Sequence, residues 1–353
     1  MVGLPTDRRM YLPSTDVDKM ESAVKGLDIR LVRGSDSRLL SKAYRFLARF
    51  FPVTEYDPLR VWKKALIDTE KDFVFRGLGH PVYLKNLSFA VIDRKGRFGK
   101  RGAVVAYADG TFEANKRTNA LYLSHVVVCP KARRLGIGTA LENAVLVKCH
   151  DYAMRAETCL RTKYRVVRKT GLKIHFLITD IEFANLSTKR FVKESVGRLI
   201  FHGRNGVSVC SPSDVSYVQS DTTYGSACYN PDKWVSVPMF FGLRAVGREK
   251  TKVFSGSEIK SLLDLLYSGF MMFMNPLGVA ADRFHSIGSI GKKVRVYALP
   301  ACAIGAVRFV KEHGEIYEIL NSFYRDHVFT LKHKKIIKPK YKPRDIPFIL
   351  CMK

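Results

Sequence analysis

Residues 121–143 read LYLSHVVVCPKARRLGIGTALEN, an apolar run of strand character that passes through a basic, glycine-bearing turn into a run of helical character. That junction constrains the chain more than any other feature in it. Glycine has no Cβ, so the backbone at Gly136 and Gly138 can approach a bulky anion closely. A helix that begins there aims its unsatisfied N–H groups and the positive end of its dipole at the same spot. Arg133 and Arg134 stand just ahead of the glycines. The expected ligand group is a phosphate. No G-K-[ST] follows, which excludes the Walker loop, and Leu141 occupies the place of the third glycine of the dinucleotide fingerprint.

The periodicities on either side predict a mixed α/β (α+β) domain. LDIRLVRG (27–34) alternates like a half-buried strand, and SRLLSKAYRFLARFF (37–51) carries one apolar helical stripe. A second helix is expected near 58–70, two strands around a basic turn over 87–109, a loop over 108–119 and a strand over 122–128. The helix from Gly138 is expected to run to about Arg168, followed by a strand over 173–179. A short helix is expected over 184–197, with Asn185 as its cap and Gly197 as its end, and a hairpin over 198–210 with Arg-Asn-Gly at its turn. Residues 1–27 read as a loose arm. The Ser/Thr/Asp/Pro-rich stretch 211–232 reads as a linker, dividing a domain of residues 28–210 from a C-terminal α/β domain of residues 233–353.

Composition narrows the classes. Sixty Lys and Arg against 32 Asp and Glu give a net charge of +28, which favours anionic ligands or a polyanionic partner such as nucleic acid. The run from Lys332 to Arg344 reads as an extended basic segment suited to nucleic acid, chromatin or nuclear import. Seven scattered cysteines show neither zinc-ligand spacing nor a disulfide pattern, so no metal site is expected and the thiols read as reduced, in cytoplasm or nucleus. Neither a secretory signal, a myristoylation site nor a membrane span is expected.

R-x-x-G-x-G between a strand and a helix resembles the acyl-CoA pyrophosphate loop of the GNAT superfamily of N-acetyltransferases. A second element is similar to that family's later helix: Asn185-Leu186-Ser187-Thr188-Lys189-Arg190-Phe191, then Gly197, beginning 47 residues after Gly138. The resemblance covers residues 28 to 205. It implies the GNAT fold, with a central mixed sheet, and acetyl-CoA as co-substrate. It also implies pyrophosphate bound by the amides of Arg134, Leu135, Gly136, Ile137, Gly138 and Thr139 with Arg133 facing it. The backbone of Val126, Val127 and Val128 would meet the pantetheine arm, with Asn185 near it. The plant Hookless-like proteins share the twelve-residue spacing from Asn185 to Gly197 and a C-terminal domain of similar size. FLARFFPVTEYDPL (46–59) is similar to the arylalkylamine-type acetyltransferases.

The implied reaction is direct acetyl transfer to a primary amine, on a protein or a small molecule. It requires the amine and thioester in attack geometry, a donor to the carbonyl oxygen and a base for the ammonium proton. His125, Asp180 and Glu182 are the candidate bases, and the sequence leaves the choice among them open. Family members often carry a Tyr after the Leu/Phe of the second helix; here that position is Val192. The alternative is a non-catalytic protein of the same fold that binds a polyanion through its basic surface.

Overall fold

The computed structural model describes residues 24–51, 56–78, 80–165, 174–181, 189–220, 236–274 and 276–312. The chain forms two compact units, residues 1–177 and 178–353.

The first unit is built on an antiparallel sheet. Strands β1 (Leu27–Leu31), β3 (His80–Asp93), β4 (Ala103–Ala114) and β5 (Asn119–Val128) lie side by side in that order, and β2 (Phe73–Gly77) forms a hairpin with the first half of β3. Helices α1 (Ser37–Leu47) and α2 (Leu59–Asp68) pack on one face of this sheet. The long helix α3 (Ile137–Tyr164) packs against β3, β4 and β5.

Helix α1 forms because its apolar residues return at helical spacing. Leu39, Leu40, Ala43, Phe46 and Leu47 are buried, and the Asp36 carboxylate caps its start by accepting from the Leu39 N–H at 3.0 Å. Those residues close over Ala90, Ile92, Tyr107 and Val127 of the sheet to make one core. Pro58 starts α2 with a φ suited to a first turn.

The region 108–119, expected to be a loop, is mostly strand. Its glycine and asparagine were misleading for two separate reasons. Gly110 sits inside β4 because β5 bulges at Ser124, so that Asp109 pairs with His125 and Gly110 with Leu123. A Cβ on Gly110 would run into the Tyr122 carbonyl oxygen. Asn115 makes only a four-residue turn, its side chain accepting from the N–H groups of Arg117 (2.8 Å) and Thr118 (3.0 Å).

The second unit also carries a run of paired strands. β6 (Phe176–Ile181, which begins in the last residues of the first unit), β10 (Phe240–Ala245), β7 (Ser208–Cys210), β12 (Lys293–Ala298) and β11 (Val253–Ser255) follow in that order. β8 (Val218–Ser220) and β9 (Ser236–Pro238) pair separately. Its helices are α4 (Lys189–Arg204), α5 (Gly256–Phe273), α6 (Pro276–Gly288) and α7 (Ala303–Glu312).

Two expectations fail here. Gly197 does not end a helix: α4 continues through it to Arg204, and Gly203 lets the helix press on the carbonyls of Leu299 and Pro300. Nor is 198–210 a hairpin. Arg-Asn-Gly is the stop of α4, where Gly206 takes φ 74° and the Val207 N–H donates to the His202 carbonyl. The same Asn-Gly pair serves a hairpin turn or a helix terminus, because both need a left-handed residue. Strand β2 and helices α6 and α7 were not foreseen.

Candidate functional site

The loop at the end of β5 is set by three conformational choices. Pro130 opens a single 3₁₀ turn (Pro130–Ala132) whose Ala132 is fully buried and anchors the loop to the core. Arg134 and Gly136 then both adopt left-handed backbone, with φ 66° and 83°. Glycine takes that conformation readily; for arginine it costs about 1–2 kcal/mol. The reversal turns the chain so that α3 starts at Ile137 with Gly136 as its cap and no side chain covering the first amides. Those first-turn N–H groups have no intrahelical acceptor. Arg133, Arg134 and Leu135 are exposed beside them.

Arg133 folds back, donating from Nε to the Val128 carbonyl at 3.0 Å. An amide-lined helix start, a left-handed glycine and two exposed guanidinium groups fit a phosphate-bearing ligand. Val126 and Val128 take ladder positions opposite Ala108 and Ala106, and Val127 is in the core beside α1.

Three residues before the end of the same strand, on the face that carries α1 and α2, stands His125. Its Nδ1 lies 2.8 Å from Oδ1 of Asp109, directly opposite on β4. Asp109 is held in turn: its Oδ2 accepts from the Tyr107 hydroxyl at 2.8 Å, and the Tyr107 hydroxyl oxygen itself accepts from the Ser88 hydroxyl at 3.0 Å. The pair is not sealed off, since the side chains of His125 and Asp109 keep 15% and 14% of their surface accessible.

Phe51 sets its ring edge-on to the imidazole, with centroids 4.8 Å apart. Asp57, just before α2, is exposed. Crowding of its carboxyl by protein atoms pushes its pKa above the usual range, the charge of Asp109 adds to that, and His125 opposes it.

Further along the same face of β4 lies Glu113. Two strand residues advance about 6.8 Å, which puts its backbone roughly 14 Å from that of Asp109. It is 3% exposed, and burial alone lifts its carboxyl well above the ordinary range. A carboxyl in that setting is held neutral.

Of the three candidate bases, His125 is joined to a carboxylate on the same sheet. Asp180, on β6 in the second unit, accepts from the Tyr217 hydroxyl at 2.6 Å. Glu182 lies outside the described residues, as do Asn185 and the run from Lys332 to Arg344, and so does the side chain of Val192. Asp109, Asp57 and Glu113 were missed by sequence reasoning. Asp109 fell where the strand expected over 87–109 met the loop expected over 108–119, and Glu113 sat inside that loop; only strand alternation carried from Tyr107 to Glu113 would have put both on the face of His125.

Among the described residues, no group of three or more His, Cys, Asp or Glu side chains is placed to hold a metal ion, and no helix is long and apolar enough to cross a membrane.

Residues 57–163 match the model of the acetyltransferase (GNAT) family, which covers less than a third of the chain. The R-x-x-G-x-G loop falls inside that segment, so the family resemblance read from the sequence holds there; the narrower Hookless-like resemblance is not confirmed. No curated protein matches. Among solved structures the chain is similar to a GNAT-family protein from Bacteroides thetaiotaomicron (13% identity, 62% of this chain and 86% of that one, TM-score 0.35). It is also similar to Arabidopsis thaliana NAA60 in complex with acetyl-CoA (11%, 63% and 99%, 0.33) and to Ard1 from Thermoplasma volcanium (14%, 63% and 98%, 0.31). At scores below 0.5 these likenesses carry no functional argument.

Proposed function

We propose that this chain, whose residues 57–163 carry the GNAT-family match, is an acetyl-CoA-dependent N-acetyltransferase acting on a primary amine. The observation that carries the reading is a single strand with chemistry at both of its functional points. β5 ends in the loop suited to a pyrophosphate, and it holds the Asp109-bound His125 a few residues earlier.

In this reading residues 28–210 form the catalytic domain, beyond the first compact unit. The amides of Arg134 to Thr139 bind the pyrophosphate of acetyl-CoA, with Arg133 and Arg134 adding positive charge. The backbone of Val126 to Val128 and Asn185 line the pantetheine arm.

His125 is the base that the geometry favours over Asp180 and Glu182. With Nδ1 engaged by Asp109, the proton-accepting nitrogen of the pair is Nε2. The Asp109 carboxylate stabilises the imidazolium that forms, and the Tyr107 and Ser88 hydroxyls fix the carboxylate. The amine nitrogen freed of its proton attacks the thioester carbonyl; the C–N bond forms, the C–S bond breaks, and CoA leaves as the thiolate. With Val192 where the family often has a tyrosine, that thiolate takes its proton from another donor. No observation in the described residues favours the non-catalytic, polyanion-binding alternative.

Thermal unfolding with and without acetyl-CoA tests the donor site. At about 100 times its dissociation constant the ligand should stabilise the protein by roughly 2.7 kcal/mol, and Gly138→Glu should abolish the shift. His125→Ala should keep the shift and lose about 10² to 10⁴ in turnover. A well-folded protein with no shift would sink the reading, and full turnover in His125→Ala would remove His125 as the base.

A further inference from the structure

Between β3 and β4 the chain reads RKGRFGKRG (94–102), five cations in nine residues with no carboxylate among them. Arg94, Lys95, Arg97, Lys100 and Arg101 are all exposed. The turn beneath them is held from inside. The carboxylate of Asp93, buried at the end of β3, accepts from the N–H groups of Lys95 (3.2 Å), Gly96 (2.8 Å) and Phe98 (2.8 Å). The Gly102 N–H donates to the Asp93 carbonyl at 2.7 Å, and the Ala103 N–H to the Lys100 carbonyl at 3.0 Å. With those amides committed to the turn, what the loop offers to solvent is side-chain charge.

Neighbouring elements add to it. Lys25, just before β1, is exposed, and its carbonyl accepts from Arg97 Nη1 at 2.6 Å. Lys42 of α1 donates to the Gly102 carbonyl at 3.4 Å. Asp28 answers two of the charges, pairing with Arg30 at 2.7 Å and with Arg94 at 2.5 Å. Lys25, Lys95, Arg97, Lys100 and Arg101 have no carboxylate partner among the described residues.

Like charges gathered without counter-charge repel one another, and an anion laid across them relieves the cost. A small phosphate fits poorly, because it is cradled by free amides and here the amides are spent. A lipid surface fits poorly too, since interfacial binding needs apolar area to bury. Phe98, the one apolar side chain of the loop, is half-buried, with the Arg97 guanidinium 5.1 Å from its ring centre. A run of phosphodiesters fits. Its charges recur along the chain and release condensed counterions when Lys and Arg meet them, and arginine beside an aromatic ring is a surface on which bases stack.

We propose that the β3–β4 loop, together with Lys25, is a docking surface for a nucleic acid gripped through its sugar–phosphate backbone. The inference concerns where the molecule docks, and it stands or falls independently of the acetyltransferase reading.

Fluorescence anisotropy of the full chain would use an RNA strand of about 20 nucleotides, a DNA duplex of the same length, and polyglutamate of matched charge. At least one nucleic acid should bind, its log affinity falling linearly with log salt. Lys95→Gln, Lys100→Gln and Arg101→Gln combined should flatten that slope by about 2 to 3 and weaken binding about tenfold at about 0.1 M salt. The charge-keeping set Lys95→Arg, Lys100→Arg and Arg101→Lys should bind as the wild type does. Both variants should keep the wild-type melting temperature and acetyl-CoA thermal shift, because the main-chain bonds of the turn use none of these side chains.

Full binding by the glutamine variant would put the contact elsewhere in the chain and overturn the proposal. Equally damaging would be no binding of either nucleic acid, or polyglutamate bound as tightly, which would point to an acidic protein. A glutamine variant that lost the acetyl-CoA shift as well would assign these charges to the CoA phosphates instead.

Discussion

A buried carboxyl with no opposite charge beside it is a cost that a protein keeps for a reason or tolerates, and among the described residues Glu113 is such a group. Burial is the one cause acting on its pKa, and it acts upward. The folded state therefore holds a proton that the unfolded chain gives up near pH 4.5. Above that pH the unfolded state binds fewer protons than the native one, so stability falls as pH rises, by about 1.4 kcal/mol per unit, until the folded-state pKa is passed. Glu113→Gln has no proton to lose. Its melting temperature should match that of the wild type at pH 4.5 and exceed it increasingly toward pH 8. Parallel curves for the two proteins would show that Glu113 ionises freely and is not held neutral. The His125–Asp109 pair is the contrasting case: each of its groups has a partner, and its function needs the proton to move.

At the scale of elements, the placement of that pair depends on a bulge. Opposed strands alternate faces in step, and one extra residue on one strand shifts everything beyond it. The extra residue here is Ser124, and the shift sets His125, rather than Ser124, across from Asp109. Gly110 permits it by leaving room for the Tyr122 carbonyl. Gly110→Ala should therefore do two things at once. It should destabilise the fold by an amount in the range of about 1–3 kcal/mol typical of overpacking. It should also cut turnover more than it weakens the acetyl-CoA thermal shift, because the loop at 133–139 lies beyond the bulge. Loss of the shift in proportion to activity would mean that the alanine disturbs the whole of β5, not the pairing alone.

The same bulge explains why part of the site was not legible in the sequence. The loop after β5 was visible, because glycine and arginine at a strand–helix junction announce themselves locally. So was the apolar stripe of α1. The partner of His125 was not, because the expected strand was cut off at Asp109 by the breakers Gly110 and Asn115, and its pairing with β5 was left unread. Only register, which is a property of two strands, reveals that Asp109 faces His125. Asn205-Gly206 misled in the same way, its left-handed glycine serving as a helix stop and not a hairpin.

For the molecule as a whole the question is how a chain of charge +28 can serve a cationic acceptor. The long-range field repels such a substrate and attracts the several negative charges of CoA. The carboxylates of Asp57 and Asp109 act only at contact distance, inside the roughly 10 Å over which 0.1 M salt screens exposed charges. Added salt should therefore affect the two substrates in opposite directions. Between about 0.03 and 0.3 M salt, KM for acetyl-CoA should rise severalfold, since its attraction is screened. Over the same range kcat/KM for an alkylammonium acceptor should hold or increase, since what salt removes is mainly the repulsion of its approach. Steady-state rates with each substrate varied in turn would show it. If acceptor kcat/KM instead fell with salt as steeply as that for acetyl-CoA, the acceptor would be drawn in by the basic surface. It would then carry negative charge of its own, which the carboxylates at Asp57 and Asp109 are badly placed to receive.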